Sequence, residues 1–138
     1  MTTLHDSRIS RWILVAGAGL AMLAVMTGAF AAHGLKHVLD ADYLLVFETA
    51  ARYQMYHAIA LMIVAVISTM PQFSPRWVKL AAFAFMLGII LFSGSLYLLA
   101  LSGIKWLGAI TPLGGVAFIF GWLALIVAAL RPPAQTTP

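Results

Sequence analysis

Four stretches of this chain contain no Asp, Glu, Lys or Arg, and each is long enough to cross a lipid bilayer. Between Arg11 and Lys36 lie 24 such residues, between Arg52 and Arg76 lie 23, between Lys79 and Lys105 lie 25, and between Lys105 and Arg131 another 25. A hydrocarbon core of roughly 30 Å takes about 20 helical residues at about 1.5 Å of rise each. The chain therefore reads as all-α: an integral membrane bundle of four transmembrane helices in antiparallel up-and-down order, with both termini on the same side. Long apolar runs also occur as buried helices of large soluble proteins. Here 63% of 138 residues are hydrophobic and 9% charged, so four such helices would have no polar layer to cover them.

The formal charge of +4 does not point to nucleic acid, because the basic residues stand singly at the ends of the apolar runs and form no patch. Their placement reports on orientation instead. If the helices alternate, Arg8, Arg11, Arg76, Lys79 and Arg131 fall on one side and Lys36, Arg52 and Lys105 on the other. Asp40, Asp42 and Glu48 join the poorer side. The imbalance favours both termini in the cytoplasm. The absence of cysteine excludes disulfides and thiolate metal sites. Arg8, Arg11, the apolar run from Ile13 to Met26 and the small residues around Ala31 also imitate a secretory signal with its cleavage site, which competes with a retained first span.

Residues 1–11 read as a cytoplasmic tail, residues 12–131 as the transmembrane domain and residues 132–138 as a second polar tail. The spans are expected at about 12–32, 53–70, 76–102 and 112–130. Trp12 and Trp77 mark the water boundary, where indole rings prefer to sit. Asp40 and Asp42 are candidate helix caps in the first connection. Residues 43–52 mix Leu44, Leu45 and Phe47 with Glu48 and Arg52, whose four-residue spacing permits a salt bridge on a helix. That segment lies along the interface or extends span two outward. Ser74–Pro75 and Thr111–Pro112 read as cap-and-proline starts of spans three and four.

Two stripes of small residues suggest how the helices meet. Gly17, Ala21, Ala24 and Gly28 share one face of span one, and Gly114, Ala117, Gly121, Ala124 and Ala128 share one face of span four. In lipid, close backbone approach along such stripes supplies the dispersion contacts that hold helices together. A large side chain at Gly28 or Gly121 is expected to disrupt assembly, within one chain or between chains.

The polar residues of the spans converge on one leaflet if the helices alternate. His33, Lys36 and His37 lie at the outer end of span one, Tyr53, Gln54, Tyr56 and His57 at that of span two, Ser93, Ser95 and Tyr97 in the outer half of span three, and Thr111 at the start of span four. An unpartnered hydroxyl, amide or imidazole in an apolar medium costs roughly 2–7 kcal/mol, so these groups must bond to one another, to backbone or to water. Gln54 shares a face with Ala51 and Ala58, which are small enough to admit a neighbouring helix. The cluster reads either as a tie between helix ends or as a polar, proton-responsive pocket. Histidine titrates near neutrality, which singles out His33 and His57. Those imidazoles could also face each other across haem or a metal ion, with Met22, Met26 or Met55 as soft partners. No spacing matches a dedicated ligand motif, so no cofactor or metal is assigned.

The segments GAFAAHGLK at Gly28 to Lys36, TAARYQMYHAIAL at Thr49 to Leu61, FSGSLYLLAL at Phe92 to Leu101 and LGAITPLGGVAFIFGW at Leu107 to Trp122 resemble the transmembrane protein 256 family. Its bacterial members are small inner-membrane proteins catalogued as a domain of unknown function. The resemblance implies four helices and a bacterial inner membrane, and brings no catalytic residue. The first functional expectation is a non-enzymatic accessory or scaffold protein that binds membrane lipids, another membrane protein or a second copy of itself through the outer cluster. The second is a minimal oligomeric channel or transporter. Against it, Ala58–Ile67 and Leu80–Leu91 carry no hydrogen-bonding side chain, whereas a conducting path needs polar lining across its depth. An intramembrane enzyme comes third, because His33, Glu48, Tyr53 and His57 form no recognisable nucleophile and base pair.

Overall fold

A computed structural model describes residues 2–131, with side chains from Arg8 onward. The tail at 132–138 lies outside the described residues. Among the described residues, four helical rods are long and apolar enough to span a membrane: Arg8–Leu35, Ala41–Ile67, Pro75–Ser102 and Lys105–Leu130. Helix α1 (Thr2–Phe30) ends in a π turn at Ala31–Leu35, and α2 covers Ala41–Ile67. Helix α3 (Pro75–Gly88) passes through a second π turn at Ile89–Ser93 into α4 (Gly94–Ser102). A 3-10 turn at Lys105–Ala109 leads to α5 (Thr111–Leu130), and no strand occurs among the described residues.

Long-range hydrogen bonds and ring contacts set the antiparallel register. Ser10 Oγ donates to the Ala65 carbonyl at 2.7 Å, and Gln54 Nε2 donates to the Leu20 carbonyl at 2.9 Å. Farther along, the Phe30 and Phe47 rings meet edge to face at 6.5 Å. At the end holding the start of α1, the Ser74 N–H donates to the Ala128 carbonyl, which ties the α2–α3 turn to the end of α5. Helix α2 touches α1, α3, the second π turn and α4, while α5 lies mainly on α3 and that π turn. Helix α1 rests chiefly on α2 and forms an edge of the bundle.

Two apolar clusters fill the interior. The larger joins Leu61, Val64, Val78, Phe85, Ile89, Phe118 and Ala124 in the half nearer the α2–α3 turn. The smaller joins Ala31, Leu35, Phe47 and Ala100 near the α1–α2 connection. Phe47 and Ala50 are buried, so residues 43–52 extend span two along the bundle. The N-terminal segment expected as a tail is helical from Thr2.

Caps differ from the sequence expectation in one respect. Asp40 and Ser74 occupy cap positions with extended backbone, but neither side chain caps. Thr111 is already the first residue of α5, after Ile110. Gly103 closes α4 with φ of 71°, a left-handed geometry that glycine adopts without steric cost.

The two small-residue stripes have different fates. On α5, a Cβ at Gly121 would lie 2.6 Å from the Phe85 ring, and one at Gly114 would overlap the Phe92 backbone. Ala124 and Ala128 are fully buried and Ala117 half-buried. This stripe is an intrachain seam. On α1, Gly17 meets the Ala58 carbonyl, where a Cβ would lie 2.9 Å away, and Ala24 is buried. Ala21 is half-buried, and a Cβ at Gly28 would meet nothing within 4 Å. The expectation that bulk at Gly28 disrupts packing is therefore corrected for the single chain, because the space a Cβ would take there is open. Gly114→Ala should lower unfolding stability in detergent by about 1–3 kcal/mol through overpacking against backbone. Gly28→Ala should leave it unchanged or raise it slightly, since alanine favours helix. Thermal unfolding of the two variants side by side checks the contrast.

Candidate functional site

Helix α2 places Gln54 and His57, three residues apart, toward two different neighbours. Both are buried, at 5% exposure each. The Gln54 amide donates to the Leu20 carbonyl of α1, and its Oε1 accepts from Tyr97 Oη of α4 at 2.9 Å. Tyr97 Oη also lies 2.9 Å from Thr27 Oγ1, which bonds the Ala24 carbonyl within α1 at 3.1 Å. A hydrogen-bonded chain thus runs from α1 through α2 to α4 and back to α1. Thr27 is absent from the sequence-derived cluster. Its signal was its place three residues after Ala24, on the small face of span one.

His57 uses both ring nitrogens. Nδ1 lies 2.8 Å from the Tyr53 carbonyl, and Trp122 Nε1–H points to Nε2 at 3.3 Å. Indole nitrogen only donates, so Nε2 is the acceptor, and the hydrogen-bond pattern assigns the proton to Nδ1. The imidazole is neutral in this arrangement and offers no free lone pair to haem or metal. Its ring stacks on Phe118 at 3.4 Å between centroids and 5° between planes, with Phe85 and Trp122 around it. Gly88 makes room for this stack, since a Cβ there would overlap the Phe118 ring. Trp122 was not singled out from sequence, although an indole N–H in lipid requires an acceptor.

Ser95 Oγ meets Thr111 Oγ1 at 2.8 Å, which fastens α4 to the start of α5. Ser93 Oγ is buried without a hydrogen-bond partner among the described residues, at the last residue of the π turn whose Ile89 carbonyl accepts from the Gly94 N–H.

The expected single cluster separates into parts. Phe47 precedes His57 by ten residues, about 15 Å of helical rise, and His33 lies beyond the Phe30–Phe47 contact. His33 and His57 therefore do not face each other. His33 and Lys36 are exposed at the α1–α2 connection. Tyr53 is partly exposed and stacks on Phe92 at 4.7 Å, and Tyr56 points outward beside it. No group of three or more His, Cys, Asp or Glu side chains capable of holding a metal occurs among the described residues.

An open groove of about 320 Å³ lies between α1 and α2. Its lining includes Ala24, Gly28 and Ala51, with Glu48, Arg52 and Tyr56 at its sides. Glu48 and Arg52 make no ion pair among the described residues, although their spacing permits one.

Residues 27–115 match the family described as "Protein of unknown function (DUF423)". The chain is 52% identical over 118 residues to a UPF0382 membrane protein of Staphylococcus aureus (strain bovine RF122 / ET3-1), covering 86% of this chain and 94% of that protein. It is 49% identical to a UPF0382 membrane protein of Staphylococcus saprophyticus, with coverage of 86% and 96%. UPF0382 membrane protein YwdK of Bacillus subtilis is 47% identical, with 86% and 95% covered. No solved structure matches.

Tyr97→Phe removes the hydroxyl shared by Gln54 and Thr27. It should cost about 1–2 kcal/mol, the upper range for hydrogen bonds between membrane helices. Thr27→Val should then cost less in the Tyr97→Phe background than in the native chain. A double-mutant cycle on unfolding free energy measures that coupling.

Proposed function

The chain belongs to the DUF423 family of membrane proteins, and on that premise we propose that it is a non-enzymatic accessory protein of the bacterial plasma membrane, with both termini cytoplasmic. Its action is to bind membrane lipid or another membrane protein. The observation that carries this reading is the use of the buried polar groups. Gln54, Tyr97 and Thr27 satisfy one another across three helices, His57 is held by Trp122 and Tyr53, and Ser95 by Thr111. These groups act as internal ties, which leaves the lipid-facing surface as the place of binding.

The edge position of α1 supports that surface. Met22, Val25, Met26 and Phe30 are all more than half exposed, so α1 presents much of its circumference to whatever surrounds the bundle. A conducting path through one copy finds little support, because Leu61, Val64, Val78 and Phe85 close the half nearer the α2–α3 turn.

Extraction of the full chain into native nanodiscs should yield a reproducible stoichiometric lipid or protein companion by native mass spectrometry. A lone protein with no retained companion overturns the proposal. Ion or solute flux in liposomes that disappears with His57→Ala would replace it with the transporter reading.

A further inference from the structure

We propose that the groove between α1 and α2 is a binding site for one aminophospholipid, with Arg52 taking the phosphate and Glu48 taking the primary ammonium of the headgroup. The inference rests on the lipid-binding form of the function proposed above and assigns it a place and a ligand class.

The first observation is where the charges stand. Glu48 and Arg52 lie inside the rod Ala41–Ile67, which is long and apolar enough to span a bilayer. Phe47 beside them is in the interior cluster with Ala31 and Ala100, so this stretch is flanked by helix on both sides. Ionisable groups within a span are costly and are kept where they meet a partner. Glu48 and Arg52 are neighbours at i and i+4, with Cβ atoms roughly 6 Å apart, yet no ion pair joins them among the described residues. Both instead line the same groove. Two opposite charges held side by side and turned to a common space match a ligand that carries both signs close together.

The second observation is the shape of that space. Its floor is small, from Ala24, Gly28 and Ala51, and a Cβ at Gly28 would meet nothing within 4 Å. Met55 and the outward Tyr56 continue the lining along α2. An acyl chain fits a slot with an apolar floor and charges to one side. The Cα–Cβ bonds of a helix tilt toward its N-terminus. On α2 that direction leads to the α1–α2 connection, so a long Arg52 side chain can extend toward the headgroup layer while its stem stays on apolar surface.

The headgroup choice follows from the pair. A phosphate with an ammonium one ethylene bridge away gives Arg52 a bidentate acceptor and Glu48 a hydrogen-bond donor. Phosphatidylglycerol supplies the phosphate but no cation, so it leaves Glu48 without its partner.

The full chain is reconstituted in nanodiscs with equal phosphatidylethanolamine and phosphatidylglycerol of identical acyl chains, then released for native mass spectrometry of the retained lipid. One phospholipid per chain is expected, with the ethanolamine head retained over the glycerol head by about three to one, the size of a partly exposed ion pair. Glu48→Gln should retain lipid but lose the preference. Arg52→Gln should lower retention of both heads. Gly28→Leu should lower it by filling the floor, without loss of thermal stability. Equal retention of both lipids by the native chain, or a preference unchanged in Glu48→Gln, overturns the proposal. A lipid-free dimer would assign the groove to a second copy and also overturn it. Stoichiometric lipid or protein retained with no response to these three substitutions leaves the accessory function standing and removes only this site.

Discussion

An amide side chain in the middle of a membrane span needs both a donor and an acceptor, and Gln54 finds them on two different helices. The Leu20 carbonyl of α1 takes its N–H, and the Tyr97 hydroxyl of α4 donates to its oxygen. Lipid offers no competing water, so a helix that slid or rotated would leave these groups unsatisfied. Thr27 closes the chain back to α1. The position of α1 follows in part from this constraint, because α1 otherwise rests chiefly on α2. The groove beside Gly28 lies along the same pair of helices, with Ala24 and Ala51 in its lining.

The other side of the bundle is held by shape. Gly88, Gly114 and Gly121 each leave out a Cβ where an aromatic residue of the facing helix comes in: Phe118, Phe92 and Phe85 respectively. The resulting stack surrounds His57 and brings Trp122 within reach of its Nε2. Glycine seams and aromatic rings therefore explain a buried histidine as a neutral, doubly bonded structural group. The same residue type reads from sequence as a titrating switch. The environment assigns the other role, because an indole N–H occupies the lone pair that a proton or metal would need.

These two devices divide the molecule by task. Helices α2 to α5 form the packed part, and their polar side chains are mostly spent on one another. Helix α1 and the Glu48–Arg52 edge of α2 keep charged and apolar surface turned outward. For a family without an assigned activity, this distribution places interest on the surface, beside the very segments Gly28 to Lys36 and Thr49 to Leu61 that carry the family resemblance.

The sequence by itself determined the four spans, because the gaps between charged residues must match bilayer thickness, and charge-free length survives any detail of packing. It also marked the stripe with Gly114 and Gly121 as a packing face and Gln54 as a residue beside a neighbouring helix, since small residues let backbones approach in lipid, but left open whether that packing is within one chain or between chains. Only the tertiary structure decided which polar groups meet. Alternating spans bring groups to the same leaflet, but depth depends on register, and the shift set by Ser10 with Ala65 separates His33 from His57. Thr27 and Trp122 became visible as partners only once the helices were placed, and Thr111, which lies inside α5 and not at its cap, crosslinks to Ser95 at 2.8 Å. The opposite outcomes at Gly28 and Gly17 have the same origin. Spacing along one helix gives the face a residue occupies, whereas the distance to the next helix is a property of both.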